Sequence, residues 1–288
     1  MTELTKDTKI LIVGLGVIGG GYAKALTYSG YKHVRCITKN SADIDYAIAH
    51  GMIEFGTTSP DASLIKESEL IIFALYPHIF LEWIEKYRHL FSSGTIITDV
   101  TGVKSGVVMQ VQALMPEGVE FISAHPMAGR EKSGVEFSNA EVFRGANYII
   151  VPTDKNTKTA INVCKSLGEA LGFSKISELS IKAHDEMIAF LSQLTHCIAV
   201  VLMNSNESEG LEKYTGDSFR DLTRIAKINE VMWSELFMLN KDALLKEMDS
   251  FIERFTAFRG MLAEGNVEDM KQEMIKATKR RELFDKKS

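Results

Sequence analysis

The chain is poor in residues that cross-link or punctuate a fold. It has three cysteines in 288 residues, Cys36, Cys164 and Cys197, none in a CxxC spacing. That count excludes a disulfide framework and fits free thiols in a reducing compartment. Five prolines are present and none follows Pro152, so the second half is open to long unbroken helices. A dominant charge is also lacking, with 33 basic residues against 38 acidic ones, mixed along the chain. Such a balance argues against a nucleic-acid partner and leaves no membrane footprint. The N-terminus, MTELTKDTK, has no apolar signal-peptide core. The apolar runs read as strand-length, short of the roughly 20 residues that span a bilayer. These absences predict a cytoplasmic protein with neither nucleic acid nor membrane as partner. No His, Cys, Asp or Glu residues cluster at ligand spacing, so no metal is expected.

What is present is a sizeable core, with 45% hydrophobic residues, and a pattern that changes midway. The first half alternates apolar runs with amphipathic stretches. Strands are predicted at Lys9–Val13, Val34–Ile37, Leu70–Leu75, Thr95–Thr98, Val119–Ala124 and Tyr148–Val151. Helices are predicted from Ile18 to about Ser29, at Ile79–Phe91 and at Lys104–Met115. Such alternation implies a mostly parallel sheet covered on both faces. After about Leu179 no strand pattern remains. Helical periodicity runs through Ile181–Asn204, with Ile188, Leu191, Thr195, Ile198 and Leu202 on one stripe. Ser218–Leu239, Lys241–Glu264 and Val267–Phe284 read as three more helices. The predicted division is residues 1–178 as an α/β domain and 179–288 as an all-helical one. Several of the later helices are apolar on more than one face, which predicts a homodimer built from the second half. The thirteen methionines read as core and interface filler.

Gly14-Leu-Gly16-Val17-Ile18-Gly19 follows the first strand and opens a helix. Gly14 permits the tight turn, Gly16 lets a pyrophosphate approach the backbone, and Gly19 lets helix and strand pack closely. The helix N-terminus offers free N–H groups to the phosphates. The context is that of a Rossmann-type doubly wound sheet, with a second strand about 20 residues on. That strand leads into Thr38 and Lys39, where a fold preferring NAD usually carries an acidic residue for the ribose. A hydroxyl and a lysine suit a 2′-phosphate, so the cofactor is NAD or NADP with a lean to NADP. The alternative is a single Thr38 bond to the ribose of NAD.

Three further stretches carry chemistry that apolar periodicity leaves unexplained: Asp99-Val-Thr-Gly-Val-Lys104, His125-Pro-Met-Ala-Gly129, and Phe219-Arg-Asp-Leu-Thr-Arg-Ile-Ala226. With the glycine loop they resemble the prephenate and arogenate dehydrogenases of tyrosine biosynthesis, in the right order along nearly the whole chain. HPMAG followed by Glu131 and Ser133-Gly134 is similar to that family's active-site loop, and FRDLTRIA to its substrate-binding helix. No mutase domain is seen before the first strand and no regulatory domain after the helices, so the compact monofunctional form is expected. The resemblance implies oxidative decarboxylation of prephenate to 4-hydroxyphenylpyruvate, or of arogenate to tyrosine. Two other readings stay open: a β-hydroxyacid or imine dehydrogenase of similar layout, and a regulator that binds the cofactor without turnover.

The reaction implied needs a proton acceptor for the ring hydroxyl, a cation for the ring carboxylate and a docking surface. His125 ends a strand at the crevice, and a neutral imidazole near its normal pKa can accept the proton. Its bland alternative is a turn-capping histidine. Arg224 offers a two-pronged fork to the carboxylate, with Arg220 one turn earlier as an assistant. The alternative for these arginines is an ion pair with Asp221. His196 lies in Ser192-Gln193-Leu194-Thr195-His196, where the resemblance implies Ser-His-Leu-Pro-His and a cleft-facing second histidine. Gln193 replaces the first histidine and can hydrogen-bond without becoming cationic. Gly102 stands where the family carries a serine, leaving Thr101 or a water to supply a hydroxyl. Lys104 is read as pairing with Asp99 or a helix end. His33, His50, His78, His89 and His184 are assigned surface or structural places.

Overall fold

The computed structural model describes residues 3–129, 132 and 134–285. Its centre is a parallel sheet of β1 (Lys9–Val13), β2 (His33–Ile37), β3 (Phe55–Thr57), β4 (Leu70–Phe73), β5 (Ile96–Asp99) and β6 (Glu120–Phe121). The spatial order is β3-β2-β1-β4-β5-β6, with the chain reversing direction of growth between β1 and β4. That is the dinucleotide-binding order, and ligands of such sheets lie outside the carboxyl ends of the strands. The helices of this half are α1 (Val17–Tyr28), α2 (Ser41–Ala49), α3 (Ala62–Glu67), α4 (Pro77–Tyr87), α5 (Val108–Leu114) and α6 (Lys158–Ala170).

Period-2 alternation sorts the strand side chains between two cores. Ile10, Ile12, Leu70 and Ile72 join Tyr22 and Leu26 of α1 in one cluster. Leu11, Val13, Ile71 and Phe73 join Phe80 and Ile84 of α4 in the other. Each such buried side chain contributes about 1.5–3 kcal/mol, so the sheet holds its C-terminal loops on a stiff base. Pro77 sits at the first helical position of α4, where its missing N–H costs nothing.

The predicted strand Val119–Ala124 is instead two strands in two sheets. Ile122 still donates to Ile97 O at 2.9 Å, but the Asp99 carboxylate then takes the Ala124 amide at 3.1 Å. The chain leaves the first sheet there. β7 (Ser123–Pro126) pairs antiparallel with β8 (Asn147–Val151), and β8 pairs parallel with β9 (Lys175–Glu178). β3 and β9 have no sequence forecast, because one is three residues long and the other reads KISE without an apolar run.

Ile181–Asn204 is one helical run, formed by α7 (Ile181–Ile188), a π-helical stretch Ala189–Leu194, and α8 (Thr195–Asn204). The π turn shifts the inward face. Leu191 and Thr195, expected on the buried stripe, are exposed, while Gln193 and Leu194 are buried. The run also corrects the expectation that apolar stretches are only strand-length. It has 24 residues and holds an 18-residue window of mean hydropathy 1.7, long and apolar enough by composition to cross a membrane. Its polar residues Asp185 and Gln193 nevertheless bond to neighbouring parts of the fold, as a packed helix of a globular unit does. The expected Ser218–Leu239 helix is broken into α9 (Asp217–Thr223), a 3-10 turn Arg224–Ala226, and α10 (Glu230–Leu239). Asn229 makes the new start by accepting from Met232 N at 2.9 Å. The chain forms two compact units, one ending at Asn240 and the other beginning at Lys241. The second contains α11 (Lys241–Ala263) and α12 (Val267–Arg281).

Candidate active site

The carboxyl ends of β1, β2, β4 and β5 are tied edge to edge. Gly14 N donates to Ile37 O at 2.8 Å, Ala74 N to Val13 O at 2.8 Å, and Val100 N to Phe73 O at 3.1 Å. Gly14 has φ +96°, and a Cβ there would lie 2.4 Å from Ala74 O. A Cβ at Gly19 would lie 2.0 Å from Gly14 O. Both positions therefore demand glycine for steric reasons. Gly16 differs, since a Cβ there would meet nothing within 4 Å. It opens α1 without a side-chain cap, which leaves the first-turn N–H groups of the helix without a side-chain acceptor. A pyrophosphate fits this cradle. Thr38 and Lys39 stand at the carboxyl end of β2, with the Thr38 amide bonded to Thr57 O at 3.1 Å and Lys39 exposed.

Beyond β5 lies a buried polar knot. Lys104 Nζ donates to Asp99 Oδ2 at 3.0 Å, to Thr101 Oγ1 at 3.2 Å and to Ala124 O at 2.7 Å. Ser123 Oγ and Ala124 N donate to Asp99 Oδ1 at 2.6 and 3.1 Å. Thr101 donates to the same carboxylate from its amide at 2.9 Å and also from its hydroxyl. Burial pushes the Lys104 ammonium down from its ordinary value, while Asp99 pulls it back up. Of the two readings of Lys104, pairing with Asp99 is the one found. The Thr101 hydroxyl is engaged inside this knot.

The knot holds His125 from below. His125 sits on β7 opposite Ile149, one residue after the Ala124 that binds both Asp99 and Lys104. Its Nδ1 lies 2.9 Å from Nε2 of His184. His184 Nδ1 lies 2.6 Å from Asp185 Oδ1. Asp185 in turn accepts from Lys104 N at 3.0 Å and Ser105 N at 2.6 Å. Burial, then His184 and Lys104, hold His125 well below its ordinary pKa, a correction to the near-normal value expected. His184 is lowered by burial too, although Asp185 opposes this. For Asp185 burial acts upward, but the bonds from His184 and Ser105 win and lower it. His184 and Asp185 are absent from the sequence-based candidates. Their signal was a polar pair on the apolar face of α7, where Ile188 and Ala189 are also buried.

The remaining edge of His125 faces Gly102. A Cβ on Gly102 would lie 3.7 Å from Leu236 Cδ1 and 3.8 Å from His125 Nε2. Leu236 belongs to α10, which carries the wall onward. Its carbonyl accepts from Gln193 Nε2 at 2.9 Å, and Asn240 Nδ2 bridges Gln193 Oε1 and Asp185 O at 2.7 and 2.9 Å. Gln193 is thus buried in a brace between helices. One turn before Leu236, Trp233 packs against His196 with ring centroids 3.8 Å apart and planes tilted by 31°. His196 Nδ1 is 2.8 Å from Ser192 O. The turn bearing Arg224 packs against α8, which bears His196, and Arg224 is exposed. Arg220 is engaged with Thr215 and with Asp217 at 2.7 Å, rather than with Asp221. Glu131 and Ser133, part of the motif after HPMAG, lie outside the described residues. Among the described residues, no group of three or more His, Cys, Asp or Glu side chains is placed to hold a metal.

Two family profiles match the chain. Residues 22–176 match the prephenate dehydrogenase nucleotide-binding domain, and residues 180–276 match the prephenate dehydrogenase dimerization domain. The chain is 31% identical over 273 residues to a prephenate dehydrogenase of Bacillus subtilis, covering 92% of this chain and 72% of that one. It is 27% identical over 267 residues to a cyclohexadienyl dehydrogenase of Zymomonas mobilis, covering 90% of each. The prephenate dehydrogenase of A. aeolicus, solved with hydroxyphenyl propionate and NAD+, superposes with TM-score 0.89 at 28% identity. That match covers 98% of this chain and 99% of the other.

Proposed function

The chain belongs to the prephenate dehydrogenase family, and from that premise we propose that it converts prephenate to 4-hydroxyphenylpyruvate by oxidative decarboxylation, in tyrosine biosynthesis. It is an NAD(P)-dependent oxidoreductase. The observation that carries the reading is His125, fixed at Nδ1 by His184 with its Nε2 beside Gly102. A lowered pKa keeps this imidazole neutral at pH 7, as a proton acceptor must be. His125 takes the proton of the ring hydroxyl and returns it to the phenol oxygen once CO2 has left and the ring is aromatic.

Arg224 holds the ring carboxylate with its guanidinium fork. His196, packed against Trp233, lines the pocket for the side chain. Thr101 and Gln193 serve the same pocket at one remove, through the Asp99 knot and the Asn240 brace. A bound nicotinamide dinucleotide supplies the hydride acceptor, and Gly14, Gly16, Val17, Ile18 and Gly19 are the residues that would hold its phosphates. For the finer choice we propose NADP, because Thr38 and Lys39 replace the carboxylate that would repel a 2′-phosphate.

We keep residues 1–178 as the cofactor-binding half and 179–288 as the substrate-binding half. The latter is proposed to form a homodimer in a soluble, cytoplasmic enzyme. Residues 180–276 match a dimerization domain, and Val201, Leu222 and Met238 are 62%, 54% and 67% exposed. In α11, Phe255 and Leu262 are each 64% exposed. Sedimentation of the full chain tests the dimer. The activity is tested by product analysis with prephenate and arogenate, each with NAD+ and NADP+. Prephenate with NADP+ is expected to give the highest kcat/KM; arogenate ahead of prephenate would favour direct formation of tyrosine, and no turnover of either would remove the reading.

A further inference from the structure

We propose that His184 and Asp185 are positioning residues that fix the tautomer of His125 and leave Nε2 as its proton acceptor. The inference rests on His125 being the base and assigns the groups behind it. It follows from counting donors. Asp185 takes two backbone N–H groups, from Lys104 and Ser105, and its Oδ1 also faces His184 Nδ1 at 2.6 Å. An ionised carboxylate only accepts, so His184 Nδ1 carries the hydrogen in that contact. A neutral His184 then has a lone pair at Nε2, the atom 2.9 Å from His125 Nδ1. His125 must donate from Nδ1, and its own lone pair falls on Nε2, toward Gly102. In the resting site, before any substrate proton has been taken up, the opposite assignment needs a cationic His184, fully buried in the neighbourhood of the Lys104 ammonium. That arrangement sets two positive charges in one low-dielectric pocket.

The same chain of contacts disposes of the charge during turnover. The substrate O–H bond breaks and its proton bonds to His125 Nε2. The Nδ1 proton of His125 can then pass to His184 Nε2, which leaves the positive charge on the imidazolium beside the Asp185 carboxylate. Both transfers reverse when the phenol oxygen is reprotonated. His125 gains and loses one proton in each cycle, and no other reactant is consumed in the relay.

The test uses the full chain and two variants, Asp185→Asn and His184→Gln. In Asp185→Asn an amide N–H faces His184 Nδ1, so every donor in the chain reverses and Nε2 of His125 becomes protonated. As with the inverted tautomer of serine-protease triads, kcat should fall toward the level reached when the base itself is lost, about 100-fold. KM for prephenate should stay within about threefold, because the change acts on proton transfer and not on docking. His184→Gln leaves the Lys104 and Ser105 bonds of Asp185 intact, which guards against a mere loop collapse. It keeps an acceptor for His125 Nδ1 but cannot carry the proton onward, so a fall of about tenfold is expected. Imidazole ¹⁵N shifts read the tautomer directly: Nδ1-protonated His125 in the parent chain and in His184→Gln, Nε2-protonated in Asp185→Asn. An unchanged His125 tautomer in Asp185→Asn, or kcat losses matched by KM in both variants, would overturn the proposal. A parent chain inert to prephenate and arogenate that still shows the tautomer exchange would remove the base reading and leave the positioning role standing.

Discussion

Two carboxylates grip the loop from Asp99 to Ser105 from opposite sides, and they are compensated differently. Asp99 is fully buried and paired with the Lys104 ammonium at 3.0 Å. Asp185 is also buried but is met by two backbone amides and a histidine. A carboxylate beside a permanent cation has its charge neutralised on site and can do little beyond holding its loop. A carboxylate met only by neutral donors keeps a net negative charge, which acts on whatever can titrate beside it. The first arrangement makes a fastener. The second makes an electrostatic reference for His184 and, through it, for His125.

Breaking the fastener should have the largest effect. Lys104→Met leaves Asp99 as an uncompensated buried charge and should cost about 3–5 kcal/mol of stability, measured by urea unfolding. A loss under about 1 kcal/mol would mean that Asp99 is not ionised in the fold. His125→Asn tests the other side. It should lower kcat by about 100-fold or more, some 2.7 kcal/mol, while the Kd for cofactor is unchanged. A mild kinetic change would take the proton transfer away from this histidine. Arg224→Ala lies away from both carboxylates and should mainly raise KM for prephenate, by about tenfold or 1.4 kcal/mol. Unchanged KM would move the carboxylate site elsewhere. The smallest effect is expected at Gly102→Ala, where the added methyl makes only ordinary contacts at 3.7–3.9 Å. Reduced freedom of the unfolded chain should raise stability by about 0.4–1 kcal/mol, and a falling Tm would show that the wall beside His125 is tighter than its spacing indicates.

The parts of the molecule legible in the sequence are those decided by local geometry. Gly14 and Gly19 announce themselves because a side chain at either would strike backbone within 2.4 Å. The buried strands β1 and β4 are visible as unbroken apolar runs. What stayed hidden depends on contacts distant in sequence. The break after Ile122 is made by Asp99, 25 residues from the Ala124 amide it captures. The contact between His125 and His184 spans 59 residues, so no spacing rule could pair them. Thr101 was sought as a hydroxyl for the substrate, but its neighbour Asp99 offers a closer acceptor. Gln193, which replaces the first histidine of its motif, has its amide bracing α10 across 43 residues.

The π-helical stretch Ala189–Leu194 lies between two histidines that do different work. In a regular helix each residue turns the axis by about 100°, so one surplus residue resets the angular phase of everything after it. His184 comes before the stretch and faces His125; His196 comes after it and faces Trp233. A single unbroken helix thereby serves two walls that a uniform pitch would not let it address together. Its length is fixed by packing, but its timing is fixed by one residue, and a one-residue deletion there would turn α8 against α7 like a key forced past its stop.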